Sequence, residues 1–235
     1  MSTILASTSG EDSLDLFILA GTSNMQGDAA FVSELPDELR VPNTRVLIYQ
    51  NDTWTPLQAG VSPKKAGRNF GPEITFGDIM SRHFGKPIGI IQTKLTAVSD
   101  TTGYQKILDQ VKSARRTRSI RVKGLVLQAG ERDGNSKEHL ENFKQNIITL
   151  INLARNDFEN PKLPVIINLA IPKPDRWPFV LEIRKIENDL IYPGFAVINC
   201  DSLPQAPDGI HYTTEGELEF GRLLANGLIQ ILNHH

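Results

Sequence analysis

The stretch FILAGTSNMQG, residues 17–27, runs from apolar residues into small polar ones around one serine, Ser23. A hydroxyl at such a junction either caps the next helix or attacks a carbonyl carbon. Attack needs a base to take the hydroxyl proton and a carboxylate to orient that base. The segment DGIH, far along the chain, holds both residue types three positions apart, Asp208 and His211. TTEGE follows at once, and Thr214 with Glu217 makes a capping-box pattern, so a helix start is predicted just after His211. That start would anchor the loop bearing the base. A serine after a strand is most often a cap, and Asp-x-x-His is a common spacing. Chemistry is favoured only if the fold brings the two segments together.

Six apolar runs are of strand length: 14–20, 44–49, 87–93, 123–129, 164–170 and 195–200. They are apolar on both faces, as buried strands of a parallel sheet are. Helical periodicity lies over 72–84, 104–117, 137–157, 178–191 and 214–232. Alternation of this kind predicts an α/β three-layer sandwich, helices on both faces of a mostly parallel sheet, as one domain over residues 1–235 with a poorly ordered segment at 1–13. Ligands bind such sheets at the carboxyl ends of the strands. Three polar clusters fall there: GTSNMQG, GERDGN and DSLPQAPDGIHYTTEG. The Pro-rich stretches 171–178 and 203–209 read as loops at that same edge.

Composition narrows the function classes. Of 235 residues 40% are hydrophobic and 22% charged, which is ordinary for a globular protein. A net charge of −2 gives no general attraction to nucleic acid or to an acidic membrane. One cysteine, Cys200, excludes an internal disulfide and a cysteine-built metal site. The N-terminus MSTILASTSGEDS lacks a basic region and a long enough apolar run for a signal peptide, and no run reaches membrane-spanning length. A cytoplasmic protein is expected if that N-terminus is native. His234 and His235 read as a tag remnant and are left out of the site.

The motifs carry a resemblance. LAGTSNMQG (19–27), GPEITFG (71–77), GLVLQAGERD (124–133) and DGIHYTTEGELEFGRLLA (208–225) resemble, in order, four segments of the SGNH hydrolases, specifically the sialate O-acetylesterase-like group, carbohydrate esterase family 6. The likeness runs from about residue 14 to 228. It implies a serine esterase with Ser23, Asp208 and His211 as its triad. Such an enzyme acts on small acyl esters, often acetyl groups of sugars, without cofactor or metal.

Departures from the group's pattern fall around the oxyanion hole. Thr22 stands where a glutamine usually precedes the serine, and Thr96-Ala97 where two glycines follow the third strand. Gln128 and Ala129 align with the His-Gln pair of the H-Q-G-E segment. A tetrahedral intermediate needs N–H donors at ~2.7–3.1 Å, and losing one costs ~10²–10³ in rate. The candidates here are the N–H groups of Ser23 and Ala97 and the side chains of Asn24 and Gln128. Residues 128 and 129 should point to opposite faces, which leaves open which one reaches the site. Two readings follow: an esterase, or a carbohydrate- or ligand-binding module that kept its pocket and lost its donors.

Glu131 and Asp133 are expected to hold structure or bind substrate hydroxyls, since no histidine is spaced to form a metal cage with them. Glu73, after Pro72, is expected to complement a helix start. The basic run 112–123 should be a solvated helix end at the edge opposite the serine. Trp54, Trp177 and Phe179 are equally suited to a sugar-binding wall or to packing. His83 and His139 read as surface or packing residues.

Overall fold

The computed structural model describes residues 13–60 and 68–234. The segment 1–13 expected to be poorly ordered lies, except for Ser13, outside the described residues, as does His235. The strands are β1 Leu14–Gly21, β2 Asn43–Gln50, β3 Thr53–Leu57, β4 Ile88–Lys94, β5 Ile120–Leu127, β6 Val165–Asn168 and β7 Phe195–Ile198. The helices are α1 Asp37–Arg40, α2 Glu73–His83, α3 Thr101–Thr117, α4 Lys137–Asp157, α5 Val180–Asp189 and α6 Thr214–Asn233. The strands make one sheet in the order β3-β2-β4-β1-β5-β6-β7, with every pairing parallel except β2 with β3.

β1 is buried along its whole length because it lies at the middle of the sheet with helices on either face. One helical layer is α2 against α6, and on the other α4 packs on α5 and joins α3 through the Tyr104 hydroxyl, which donates to Asp157 at 2.8 Å. Phe17 of β1 meets the rings of Phe76 and Phe84 at 5.9 and 5.8 Å. On α6, Gly221 lets the backbones approach: a Cβ there would run into Thr75 Oγ1 and the carbonyl of Pro72.

The three-layer α/β architecture is the expected one, with three local differences. The sequence reading missed β3, which forms an antiparallel hairpin with β2. Asn51 and Asp52 both take positive φ, 48° and 58°, the turn that a two-residue hairpin needs. Pro56 is tolerated because β3 is an edge strand. A second difference is β7, an edge strand only half buried rather than apolar-packed on both faces. β5 also starts before the expected residue 123, so the end of the basic run is strand. There Arg121 joins Lys86 in an ion pair to the buried Asp15, at 3.0 and 2.8 Å. No described helix is long and apolar enough to cross a membrane.

Candidate active site

The chain passes from β1 outward to β2 on one side, returns to β4 beside β1, and crosses to β5 on the other side. Connections therefore diverge at the carboxyl end of β1, which opens a crevice there. Gly21 pairs with Lys94, and the Gln128 N–H donates to Ala20 O at 2.8 Å, so the ends of three strands frame one spot. Ser23 sits there, two residues past β1.

Ser23 has helical angles, φ −56° and ψ −50°, and leads a single 3₁₀ turn over Asn24–Gln26, yet its side chain makes no capping hydrogen bond. Its carbonyl accepts from Gln26 N and Asp28 N at 3.0 and 3.1 Å. The turn closes at Gly27, whose φ of 62° suits glycine and whose missing side chain admits the backbone of Phe70. Two side-chain amides hold it from outside: Asn69 donates to Gly27 O at 2.9 Å and Ala30 O at 3.0 Å, while Gln92 donates to Met25 O. Gln92 also donates to Glu73 at 2.8 Å, and Glu73 accepts from Gly71 N at 3.0 Å. Glu73 thus belongs to the scaffold under the serine as well as to the start of α2. Burial raises its carboxyl pKa, against the hydrogen bonds that lower it.

On the facing loop, His211 Nδ1 lies 2.6 Å from Asp208 Oδ2. The other carboxylate oxygen accepts from Ile210 N at 2.9 Å and His211 N at 3.0 Å. Desolvation would raise the Asp208 carboxyl, but the bonds from His211 and Ile210 prevail and hold it at about 2. An ionised Asp208 favours the tautomer with the proton on Nδ1, which leaves the Nε2 lone pair able to accept one. The helix that anchors this loop does begin at Thr214, but Thr213 caps it, accepting from Gly216 N at 3.3 Å. The capping-box reading of Thr214 and Glu217 is thereby corrected. Thr214 Oγ1 accepts from Phe31 N, and Glu217 is wholly buried against α2.

Ser23 and His211 line one cleft of about 280 Å³, with Thr22, Asn24, Asp28, Lys94, Gln128, Glu131, Arg132, Ile171, Arg176, Trp177 and Ile210. The expected residues Thr22, Ser23, Asn24, Gln128, Glu131 and His211 are therefore brought together, with Asp208 behind the histidine. Ala97 is outside this lining. It lies between two backbone N–H groups tied to carboxylates, Thr96 to Asp100 at 3.0 Å and Val98 to Asp133 at 3.3 Å. Of the adjacent pair, Gln128 faces the cleft while Ala129 is part of the hydrophobic core. Asn24 has its oxygen on Tyr212 N and one N–H on Ile210 O, so only its second N–H is left for the cleft.

Gln128 and Glu131 form the floor. Gln128 Oε1 accepts from both Thr22 N and Thr22 Oγ1, at 2.8 and 3.1 Å, and its nitrogen donates to Glu131 at 3.3 Å. Glu131 also accepts from Ile171 N at 3.3 Å. Burial outweighs those bonds and pushes its carboxyl up to about 7; the same cause puts Asp133 at about 6. The sequence reading missed Lys94, Arg132 and Arg176 at the cleft, because single basic residues at one strand end and on two separate loops make no motif. Of the three aromatics, Trp177 lines the cleft, whereas Trp54 packs on Tyr49 at 4.9 Å on the far hairpin.

Residues 13–230 match the family of carbohydrate esterases described as sialic acid-specific acetylesterases. The chain belongs to that family. It is a carboxylic ester hydrolase of the acetylesterase type, and the sialate O-acetylesterase-like resemblance of its motifs holds. A probable carbohydrate esterase of Arabidopsis thaliana is 24% identical over 91% of this chain and 90% of its own length. The X-ray structure of that plant protein superposes on this carbohydrate esterase with a TM-score of 0.78, covering 93% of this chain and 98% of that one at 19% identity. NanS gives 0.74 at 12% identity, over 95% and 99%. A carbohydrate acetylesterase from Xanthomonas citri gives 0.66 at 16% identity, over 94% of this esterase and 57% of the larger chain. At these identities the three structures establish the α/β fold alone.

Proposed function

We propose that this esterase removes small acyl groups, acetyl foremost, from hydroxyls of carbohydrates by a Ser23-His211-Asp208 triad. The observation that carries this reading is the cleft that Ser23 and His211 share. A serine hydroxyl released from capping faces the same cavity as an imidazole whose Nδ1 is held 2.6 Å from an ionised carboxylate. Ser23 Oγ attacks the ester carbonyl carbon as its proton passes to His211 Nε2. The carbonyl oxygen becomes an oxyanion, received by the Ser23 N–H and the second N–H of Gln128. Collapse breaks the bond to the sugar oxygen, which takes the proton from the imidazolium. Water, deprotonated by the same histidine, then releases the acyl group and restores Ser23.

Lys94, Arg132 and Arg176, set against Asp28 and Glu131 in the same lining, offer partners for a substrate that carries a carboxylate, as sialic acids do. The rival reading, a binding module without oxyanion donors, rests on Thr96, Ala97 and Ala129, but the donor role does not depend on those positions if the Ser23 N–H and Gln128, both at the cleft, fill it. Intact-mass spectrometry after treatment with a small organophosphonate tests the assignment. One adduct is expected on the native chain and none on Ser23→Ala, together with loss of acetyl release from acetylated sugars. An adduct that survives in Ser23→Ala refutes the nucleophile.

A further inference from the structure

The hydrogen bonds of Asn24 reach beyond the nucleophile's own turn. Nδ2 donates to Ile210 O at 3.0 Å, and Oδ1 accepts from Tyr212 N at 3.1 Å. One amide thus grips the backbone on both sides of His211, from the residue that directly follows Ser23. The side chain is 1% exposed, and both residues it holds are buried. Other bonds of the loop bind it to itself: Ala206 N to His211 O at 2.7 Å, Gly209 N to Ala206 O at 2.9 Å and Thr213 N to Pro204 O at 3.1 Å. Lys173 Nζ adds a bond to Asp208 O at 2.8 Å from the 171–178 loop. Those contacts shape the loop. The Asn24 amide joins it to the turn that carries the serine.

We propose that Asn24 is a positioning residue that sets the distance between the base and the nucleophile. The proposal rests on the triad reading above. An amide side chain offers a donor and an acceptor in one plane, as a peptide group does, so it pairs with a carbonyl and an N–H two residues apart. No shorter or singly functional side chain does both. Proton transfer from Ser23 to His211 requires near hydrogen-bond contact, and a displacement of ~1 Å can cost ~10²-fold in rate. Asn24 acts through the loop and the loop through the imidazole, while substrate binding falls to the rest of the cleft.

Two variants and two measurements test this. In Asn24→Ala both grips are lost; in Asn24→Asp the acceptor for Tyr212 N stays, but a carboxylate oxygen faces Ile210 O. Both variants should lower kcat ~10–100-fold with KM kept within ~3-fold, because alignment is lost and binding is not. Hydrogen exchange reads the clamp without turnover. In Asn24→Ala the 208–212 amides should exchange ~10-fold faster while the central strands keep their protection, and Asn24→Asp should change Tyr212 less. Unchanged exchange in Asn24→Ala overturns the clamp. Faster exchange with kcat within ~2-fold of the parent overturns its catalytic consequence. A kcat loss with unchanged exchange assigns the amide to the substrate instead. If the parent hydrolyses no ester, the triad reading fails by that fact, and exchange still decides the clamp.

Discussion

At Gln128 the side-chain amide has one orientation, because Thr22 donates to its oxygen from both backbone and hydroxyl. The nitrogen is thereby turned to the cleft and to Glu131. This makes a residue-scale prediction that separates positions 128 and 129. Gln128→Ala should lower kcat ~10²-fold with little change in KM, since an oxyanion donor acts on charge that exists only in the transition state. Ala129→Gln should give no gain and should destabilise the chain, because Ala129 is 2% exposed within the apolar core and an amide there lacks a partner. Steady-state kinetics with a short aryl ester and thermal melts of both variants check it. A kcat gain in Ala129→Gln would restore that position as the donor.

Two elements bear on the site from a distance: α2, which begins beneath the serine, and α6, which begins behind the histidine. They are packed together closely enough that Thr75 Oγ1 donates to Leu218 O at 2.7 Å. Between them Glu217 is fully buried, and neither carboxyl oxygen has a hydrogen-bond partner among the described residues. Desolvation raises its carboxyl well above 4.5, and Glu73 and Asp28 push it the same way. An acid raised in the folded state favours folding below its unfolded value, and that advantage is lost as pH rises toward the folded value. Glu217→Leu removes this loss and the unmet oxygens. The variant should be more stable by about 1–3 kcal/mol, and the gain should be larger at pH ~8 than at pH ~4.5. Thermal melts of both proteins at the two pH values measure it. A gain independent of pH would mean that Glu217 is not the titrating group.

Over the whole molecule the charge is −2, yet Lys94, Arg132 and Arg176 gather at one cleft. The same lining holds Asp28 and Glu131, so the attraction of an anionic substrate rests on pairing with those three basic side chains, which salt screens. For a carboxylate-bearing acetyl ester, kcat/KM should fall several-fold between ~0.05 and ~0.5 M salt, while a neutral aryl acetate changes little. Glu131 adds a pH signature, since its carboxyl at about 7 is neutral below that value and anionic above it. The KM ratio of anionic to neutral ester should therefore rise as pH passes upward through 7. Equal salt dependence for both esters would remove the basic residues from substrate selection.

The sequence by itself determined the alternation of strands and helices, because burial on both faces leaves long apolar runs that turn residues interrupt. It determined Ser23, Asp208 and His211 as candidates, because the Asp-x-x-His spacing is local and a loop of that length lets the carboxylate reach the imidazole. The hairpin strand β3 was hidden, since five residues with a proline and exposed positions carry little periodicity. Only the tertiary structure decided that Gln128 rather than Ala129 faces the cleft, which depends on the direction a strand leaves the sheet. It alone placed Asn24 on the histidine loop, across 186 residues of chain to Ile210. It alone gathered three basic residues, from the end of β4 and from two loops, around the serine. Contacts of that separation leave no mark on local pattern, since each partner's neighbours in sequence are fixed by different elements.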